Sequence, residues 1–243
     1  MKAISCRSIS IRYNKQTVLN SISLDVEAGS CFGLVGENGA GKSTLIKSML
    51  DLVAMDSGEC VLFGNNNRQV SAREHLAYLP DRFVPPYYLK AGDFLKYVGE
   101  LQGRRFNQDQ VQQVLQSFDL DASALQKSVR ELSKGMTQKL GLAACFLSNK
   151  DLYILDEPMS GLDPKARVSV KQQIKRSHQA GATIFFSSHM LADVEELADH
   201  MAVLHRGELR FSGQVGEFKQ RFEAEIMEQA YLNCISDEER KTV

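Results

Sequence analysis

Three observations predict an α/β fold. Cys31–Val35, Asp151–Leu155 and Ala182–Phe186 are short, largely apolar runs, the pattern of strands buried on both faces of a parallel sheet. A glycine-rich loop joins the first run to a helix that begins near Gly41 and heads toward Leu52. Between Tyr87 and Asn149 the β-branched residues thin out and Leu, Gln, Lys and Phe take over. Phe94, Leu95 and Val98, then Val111, Val114, Leu115 and Phe118, stand at helical spacing there, which predicts a mostly helical insert.

The remaining elements follow in chain order. Ile9–Tyr13 and Ser21–Val26 alternate with period two, as strands with one buried face do. Ala28–Ser30 and Met55–Glu59 are turns, while Cys60–Gly64 and Ala77–Leu79 are strands. A helix spans Lys165–Gln179, between the second and third apolar runs. Met201–Leu204 and Glu208–Phe211 form a closing hairpin over His205-Arg206-Gly207. Phe218, Phe222, Ile226 and Ala230 are four apart and predict one helical face in the tail.

Composition narrows the function. A chain of 243 residues can bury a sizeable core without disulfides or a structural metal. The five cysteines, Cys6, Cys31, Cys60, Cys145 and Cys234, are odd in number and lack C-x-x-C spacing, so they are expected to be reduced thiols packed as small apolar residues. With 29 Lys+Arg against 30 Asp+Glu, the balance argues against a dedicated nucleic-acid binder. No apolar run reaches the roughly 18 residues of a membrane span, and the N-terminus has no apolar signal-peptide core.

Gly36-Glu37-Asn38-Gly39-Ala40-Gly41-Lys42-Ser43 fits G-x-x-x-x-G-K-[ST], with a buried strand before it and a helix after it. The glycines let the chain curl so that several backbone N–H groups face one anion. The helix N-terminus adds partial positive charge. Lys42 is placed to neutralise β- and γ-phosphates, Ser43 offers its hydroxyl to Mg²⁺, and Thr44 continues the first helical turn beside the phosphates. Nucleoside triphosphate is the expected ligand.

Tyr153–Leu155 leads into Asp156-Glu157-Pro158. Ligands of open parallel sheets bind at the carboxyl ends of strands. Asp156 is thereby delivered to the phosphate loop, where it can hold Mg²⁺. Glu157, aimed differently, can act as general base on a water in line with the γ-phosphate. His189 closes the strand that ends Ser187-Ser188-His189. Its position suits either a structural histidine or a γ-phosphate sensor.

Together these motifs resemble the nucleotide-binding subunits of ABC transporters, from about Ile4 to Phe222. Leu132-Ser133-Lys134-Gly135-Met136 is similar to that family's signature Leu-Ser-Gly-Gly-Gln and departs from it at Lys134 and Met136. The Lys-Gly-Met variant is familiar in the ABC-2-type exporter branch. The resemblance implies a P-loop NTPase (RecA-like) core with an antiparallel β subdomain and an inserted α-helical subdomain. One ATPase domain results, with residues 1–86 and 150–215 as catalytic core, 87–149 as helical subdomain and 216–243 as helical tail. It further implies that Tyr13 stacks on adenine, although an ordinary strand aromatic fits that position as well. Ser160-Gly161-Leu162-Asp163 looks like the loop that crosses between two subunits, and His189 matches the family's switch histidine. Where the family places Gln after Tyr-Leu-Pro, this chain has Asp81, a coupling residue by resemblance and a candidate metal contact.

The resemblance also implies an assembly. Two subunits pack head to tail, so that Ser133 and Gly135 of one cover the ATP held by Lys42 of the other. The partner is a second copy or a related ATPase chain. A separate membrane permease is expected to carry the cargo, which places the chain at the cytoplasmic face of the membrane. The insert at Tyr87–Asn149, with the unusually apolar run Phe83-Val84-Pro85-Pro86-Tyr87-Tyr88 at its entry, is the expected docking surface, although packing of that run on the insert fits its composition as well. A soluble ATPase of the same type, acting on a non-membrane assembly, is the alternative. A GTPase or kinase is disfavoured by the absence of Asn-Lys-x-Asp and by the Leu132–Met136 element.

Overall fold

The computed structural model describes residues 1–103 and 107–236. The chain opens with an antiparallel hairpin of β1 (Lys2–Tyr13) and β2 (Gln16–Glu27), then β3 (Cys31–Val35) and helix α1 (Lys42–Met49). β4 (Ser57–Leu62) and the two-residue β5 (Asn65–Asn66) return to the hairpin, completing an antiparallel sheet of order β2-β1-β4-β5. Next come β6 (Leu76–Leu79) and the helices α2 (Ala91–Leu101), α3 (Gln108–Ser117) and α4 (Lys134–Leu147). β7 (Leu152–Leu155), α5 (Pro164–Gln179), β8 (Thr183–Ser188), α6 (Leu191–Leu197), β9 (His200–His205) and β10 (Glu208–Gln214) follow, with α7 (Val215–Arg221) and α8 (Met227–Ser236) behind them.

The second sheet has order β10-β9-β3-β8-β7-β6. It is parallel from β6 to β9, with β10 added antiparallel at one edge. β3, β7 and β8 are buried along their whole length, as strands covered on both faces must be. Alternation assigns their side chains to two cores. Phe32, Leu34, Ile154 and Phe185 face α1 and the antiparallel sheet, with Phe32 stacked on Phe185 at 5.6 Å. Val35, Tyr153, Leu155 and Phe186 face α4, α6 and the tail. The parallel strands thus end together at one edge, which carries the loop before α1, the acidic pair after β7 and His189 after β8.

Some elements depart from the sequence expectations. The tail is not one helix: it breaks between α7 and α8, and Ile226 is 60% exposed rather than part of a buried stripe. Phe218 and Phe222 instead close on Phe211 of β10, a cluster that turns the chain before α8 begins. α4 starts at Lys134, inside the Leu132–Met136 element, because the Ser133 hydroxyl accepts from Met136 N–H and caps it. Residues 104–106 of the insert and 237–243 of the tail lie outside the described residues.

The antiparallel sheet carries a charge cluster with a predictable pH response. Asp25 on β2 meets Lys2 at 2.8 Å, Arg7 at 2.8 and 3.0 Å through both guanidinium nitrogens, and the Ser5 hydroxyl at 2.8 Å. Burial pushes its carboxyl up, but the bonds from Arg7, Lys2 and Ser5 outweigh it and hold the pKa at about 2. A depressed folded pKa adds stability above the unfolded value of about 3.9, and that stability is lost as pH falls toward the folded value. Asp25→Asn is therefore expected to lower stability by a constant amount at neutral pH and to narrow its deficit as the solution approaches the folded pKa. Urea unfolding of both proteins across that range checks it. A deficit that stays constant would show that Asp25 acts by shape and not by charge.

Candidate active site

The phosphate loop is shaped by close backbone packing. A Cβ at Gly36 would collide with the Leu204 carbonyl of β9. Gly41, the residue before α1, is left-handed at φ 109°, a conformation that disfavours side chains. The Gly207 N–H donates to Ala40 O at 3.1 Å and clamps the loop to the β9–β10 turn. No side chain caps the start of α1, and no acidic residue stands in its first turn. The first N–H groups of a helix have no intrahelical partner, so this end suits an anion.

Lys42 is 6% exposed, and its ammonium donates to Gly36 O at 2.6 Å and Glu37 O at 3.2 Å. It also lies 3.3 Å from Glu157 Oε1. The lysine is folded back over the loop, onto acceptors that triphosphate oxygens would replace.

The acidic pair is held by a serine that the sequence reading missed. Ser187 Oγ donates to Asp156 Oδ1 at 2.6 Å and accepts the Glu157 N–H at 2.8 Å. Asp156 N–H donates to Leu79 O at 2.8 Å, which ties the end of β7 to β6. Burial pushes the Asp156 carboxyl above the usual carboxylate range, and hydrogen bonds from Ser187 and Ser43 pull the other way. Glu157 takes φ 50°, an uncommon conformation for a non-glycine residue. The left-handed turn separates the two carboxylates. Asp156 goes inward to Ser43 and Ser187, and Glu157 goes to Lys42 and, through Oε2, to His189 Nδ1 at 2.8 Å. A serine directly after the apolar Ile184-Phe185-Phe186 run of a buried strand was the available signal for Ser187.

These groups border a cleft of about 450 Å³. Glu37, Asn38, Gly39, Gly41, Lys42, Ser43, Thr44, Asp81, Glu157 and His189 line it, joined by Val18 and Ser160. Gly36 and Ala40 shape the loop from behind, and Asp156 stands buried beneath the cleft wall. The other sequence candidates stand apart from this lining. Tyr13 is half exposed at the end of β1, and Val18 of β2 takes the wall position instead. Ser133 is exposed, a Cβ at Gly135 would stand 3.6 Å from Gly161 O, and one at Gly161 would stand 3.2 Å from the Lys134 side chain. The Leu132–Met136 element therefore packs against the Ser160–Asp163 loop of its own chain. Asp163 caps α5 by accepting from Ala166 N–H at 2.9 Å.

The residues present fit Mg²⁺ with a nucleoside triphosphate. Magnesium keeps much of its octahedral shell as water and substrate phosphate and asks for one or two carboxylates, and Ser43 with Asp156 supplies a hydroxyl and a carboxylate at the loop. No described helix is long and apolar enough to cross a membrane.

Known proteins with this arrangement are numerous. Residues 19–160 match the ABC transporter family. An uncharacterized ABC transporter ATP-binding protein of Synechocystis sp. is 39% identical over 203 residues, 82% of this chain and 57% of that protein. The chain likewise spans 62% of a similar protein from Nostoc sp.. The bacitracin transport ATP-binding protein BcrA of Enterococcus faecalis is 34% identical over 90% of this chain and 71% of its own length. The lantibiotic transport ATP-binding protein SrtF of Streptococcus pyogenes is 31% identical over 94% of this chain and 96% of its own. A solved ATP-binding subunit of an ABC transporter superposes with TM-score 0.87 at 28% identity, covering 96% of this chain and 99% of that one.

Proposed function

The chain belongs to the ABC transporter family as one of its ATP-binding proteins, and from that membership we propose that it hydrolyses ATP to drive export of a substrate through a separate membrane permease. The observation that carries this is the linked set Lys42–Glu157–His189 at the mouth of the phosphate loop. Lys42 exchanges the Gly36 and Glu37 carbonyls and Glu157 for β- and γ-phosphate oxygens. Glu157, released from the lysine, accepts the proton of a water in line with the γ-phosphate. His189 keeps Glu157 oriented and senses the γ-phosphate. Ser43 and Asp156 would hold Mg²⁺, with Asp81 a further candidate on the cleft wall, and the bound ion supplies positive charge to the phosphate oxygens.

The domain functions as a dimer, with a second copy or a related chain. Ser133 and Gly135 do not line the cleft of their own chain, and Ser133 is exposed, which supports their covering a partner's ATP. The half-exposed Tyr13 is available to an adenine ring. Residues 1–86 with 150–215 act as catalytic core, 87–149 as helical subdomain and 216–243 as tail. The chain works at the cytoplasmic face of the membrane, and its net charge of −1 gives no basis for nucleic-acid binding. Export is favoured because the Lys134-Gly135-Met136 form of the signature element resembles that of the exporter branch.

Pull-down of the Glu157→Gln chain with ATP and Mg²⁺ from detergent-solubilised cells tests the assignment. A polytopic membrane protein in stoichiometric amount is expected. Recovery with ribosomes or a soluble assembly would move the work off the membrane and support the alternative.

The docking loop makes its own prediction. Phe83 packs edge-on against Phe94 at 5.7 Å and Pro85 is buried, while Val84, Tyr87 and Tyr88 point outward. Ser128 Oγ and Arg130 N–H both donate to Tyr87 O and fix the loop backbone. Exposed aromatics on a held backbone make interface anchors. Tyr87→Ala with Tyr88→Ala is expected to cut recovery of the permease roughly tenfold and to leave ATP affinity unchanged. Loss of ATP binding or of folding in the double variant would end the docking assignment.

A further inference from the structure

Beneath the cleft, a second polar cluster links the two loops that flank the catalytic groups. Asp193 stands in the first turn of α6, four residues after His189, and is 4% exposed. Its Oδ2 accepts from Arg167 Nη2 at 2.7 Å, and its Oδ1 pairs with Lys171 Nζ at 2.9 Å. Arg167 lies in α5, four residues after its cap Asp163, and so follows directly on the Ser160–Asp163 loop. Lys171 turns the other way, to Glu196 at 2.6 Å. A narrow crevice runs between the two segments, bordered by Glu157, Ser160, Arg167, His189, Met190 and Asp193. Ser188 Oγ accepts the Met190 N–H at 3.0 Å and tightens the turn from His189 into α6.

A buried ion pair is a poor source of stability, since well-packed apolar groups of similar volume do as well. It does fix geometry, because the buried Asp193 carboxylate has one favourable place and moving it from Arg167 and Lys171 would strand its charge in the interior. Here the fixed distance lies between the loop carrying Ser160 and the strand end carrying His189, and three residues separate His189 from the anchor. We infer that Asp193 and Arg167 are positioning residues for the proposed hydrolysis: their pair holds the His189 ring against Glu157 and makes that placement depend on where the Ser160–Asp163 loop lies. The inference rests on the ATPase assignment above. It gives the cluster a direction, with the Arg167 arm facing the crevice and the Lys171 arm leading away from it.

The test is steady-state phosphate release from ATP by the full chain and its variants, with Tm measured on each. Arg167→Gln and Asp193→Asn are each expected to lower kcat about tenfold or more while KM for ATP stays within about threefold. Lys171→Gln is expected to stay near the wild-type kcat. In a His189→Ala background, Arg167→Gln is expected to cost nothing further, because both changes remove one arrangement. Arg167 is 28% exposed, so its variant keeps the test standing if Asp193→Asn does not fold. A wild-type kcat in Arg167→Gln, a loss shared equally with Lys171→Gln, a parallel rise in KM, or full additivity with His189→Ala would each overturn the clasp. If Glu157→Gln slows hydrolysis while Arg167→Gln does not, the clasp fails alone. If the wild-type chain releases no phosphate from ATP, the ATPase assignment fails and the clasp with it.

Discussion

Glu157→Gln will bind ATP at least as well as the wild-type chain and will hydrolyse it on the order of 10²- to 10⁴-fold more slowly, the usual worth of a positioned general base. The substitution keeps the shape of the side chain and can keep the contact to His189 Nδ1, now 2.8 Å from Oε2. It removes the one property hydrolysis needs there, a carboxylate that takes a proton. It also removes the charge that stands 3.3 Å from the Lys42 ammonium. Lys42 then has less to give up when phosphates arrive, so affinity holds or rises. With ATP bound and not consumed, the proposed dimer is expected to stay closed, because a ligand that favours the closed state holds it for as long as it is present. Phosphate release and size-exclusion chromatography with ATP and Mg²⁺ measure both effects. Wild-type turnover would strip Glu157 of the water-activating role, and a monomer that binds ATP without turnover would remove the dimer from the mechanism.

Much of this arrangement can be read from the sequence, for a physical reason that also marks where the reading stops. β3, β7 and β8 are legible because a strand covered on both faces is largely apolar, and Cys31–Val35, Leu152–Leu155 and Ile184–Phe186 are such runs. The loop before α1 is legible because phosphate binding demands glycine, lysine and a hydroxyl at set spacing. What stays hidden depends on contacts between distant segments. Ser187 holds both acidic residues across 31 and 30 positions of chain, and a serine in a buried strand signals a polar role without saying which residues it holds. Val18 reaches the cleft because Asn20 N–H bonds Gly207 O and the first hairpin folds over the β9–β10 turn, whereas Tyr13 is the more conspicuous residue on paper. α6 has seven residues, too few for periodicity to declare a helix. The tail misleads in the opposite way. Its four-residue spacing is real, but Phe218 and Phe222 find Phe211, and a local aromatic cluster outcompetes continuation of the helix.

Lys42→Ala separates two jobs of one side chain. The lysine contributes charge-assisted hydrogen bonds to the phosphates, each about 1.5–3 kcal/mol, so ATP affinity is expected to fall about 100-fold. It also neutralises Glu157, which is 12% exposed. Truncation leaves that carboxylate with His189 as its remaining partner, and an unpaired buried charge destabilises. Tm of the nucleotide-free variant is therefore expected to drop as well. Adding Glu157→Gln removes the stranded charge, so the double variant should regain most of the lost Tm. It should regain none of the lost affinity, because the phosphates still lack their ammonium. Calorimetric titration with ATP and thermal unfolding without it, on the wild type, both single variants and the double, read the two effects apart. Recovery of ATP affinity in the double variant would mean that Lys42 acts on nucleotide only by restraining Glu157. An unchanged Tm in the single variant would mean that the 3.3 Å pair carries no weight in stability.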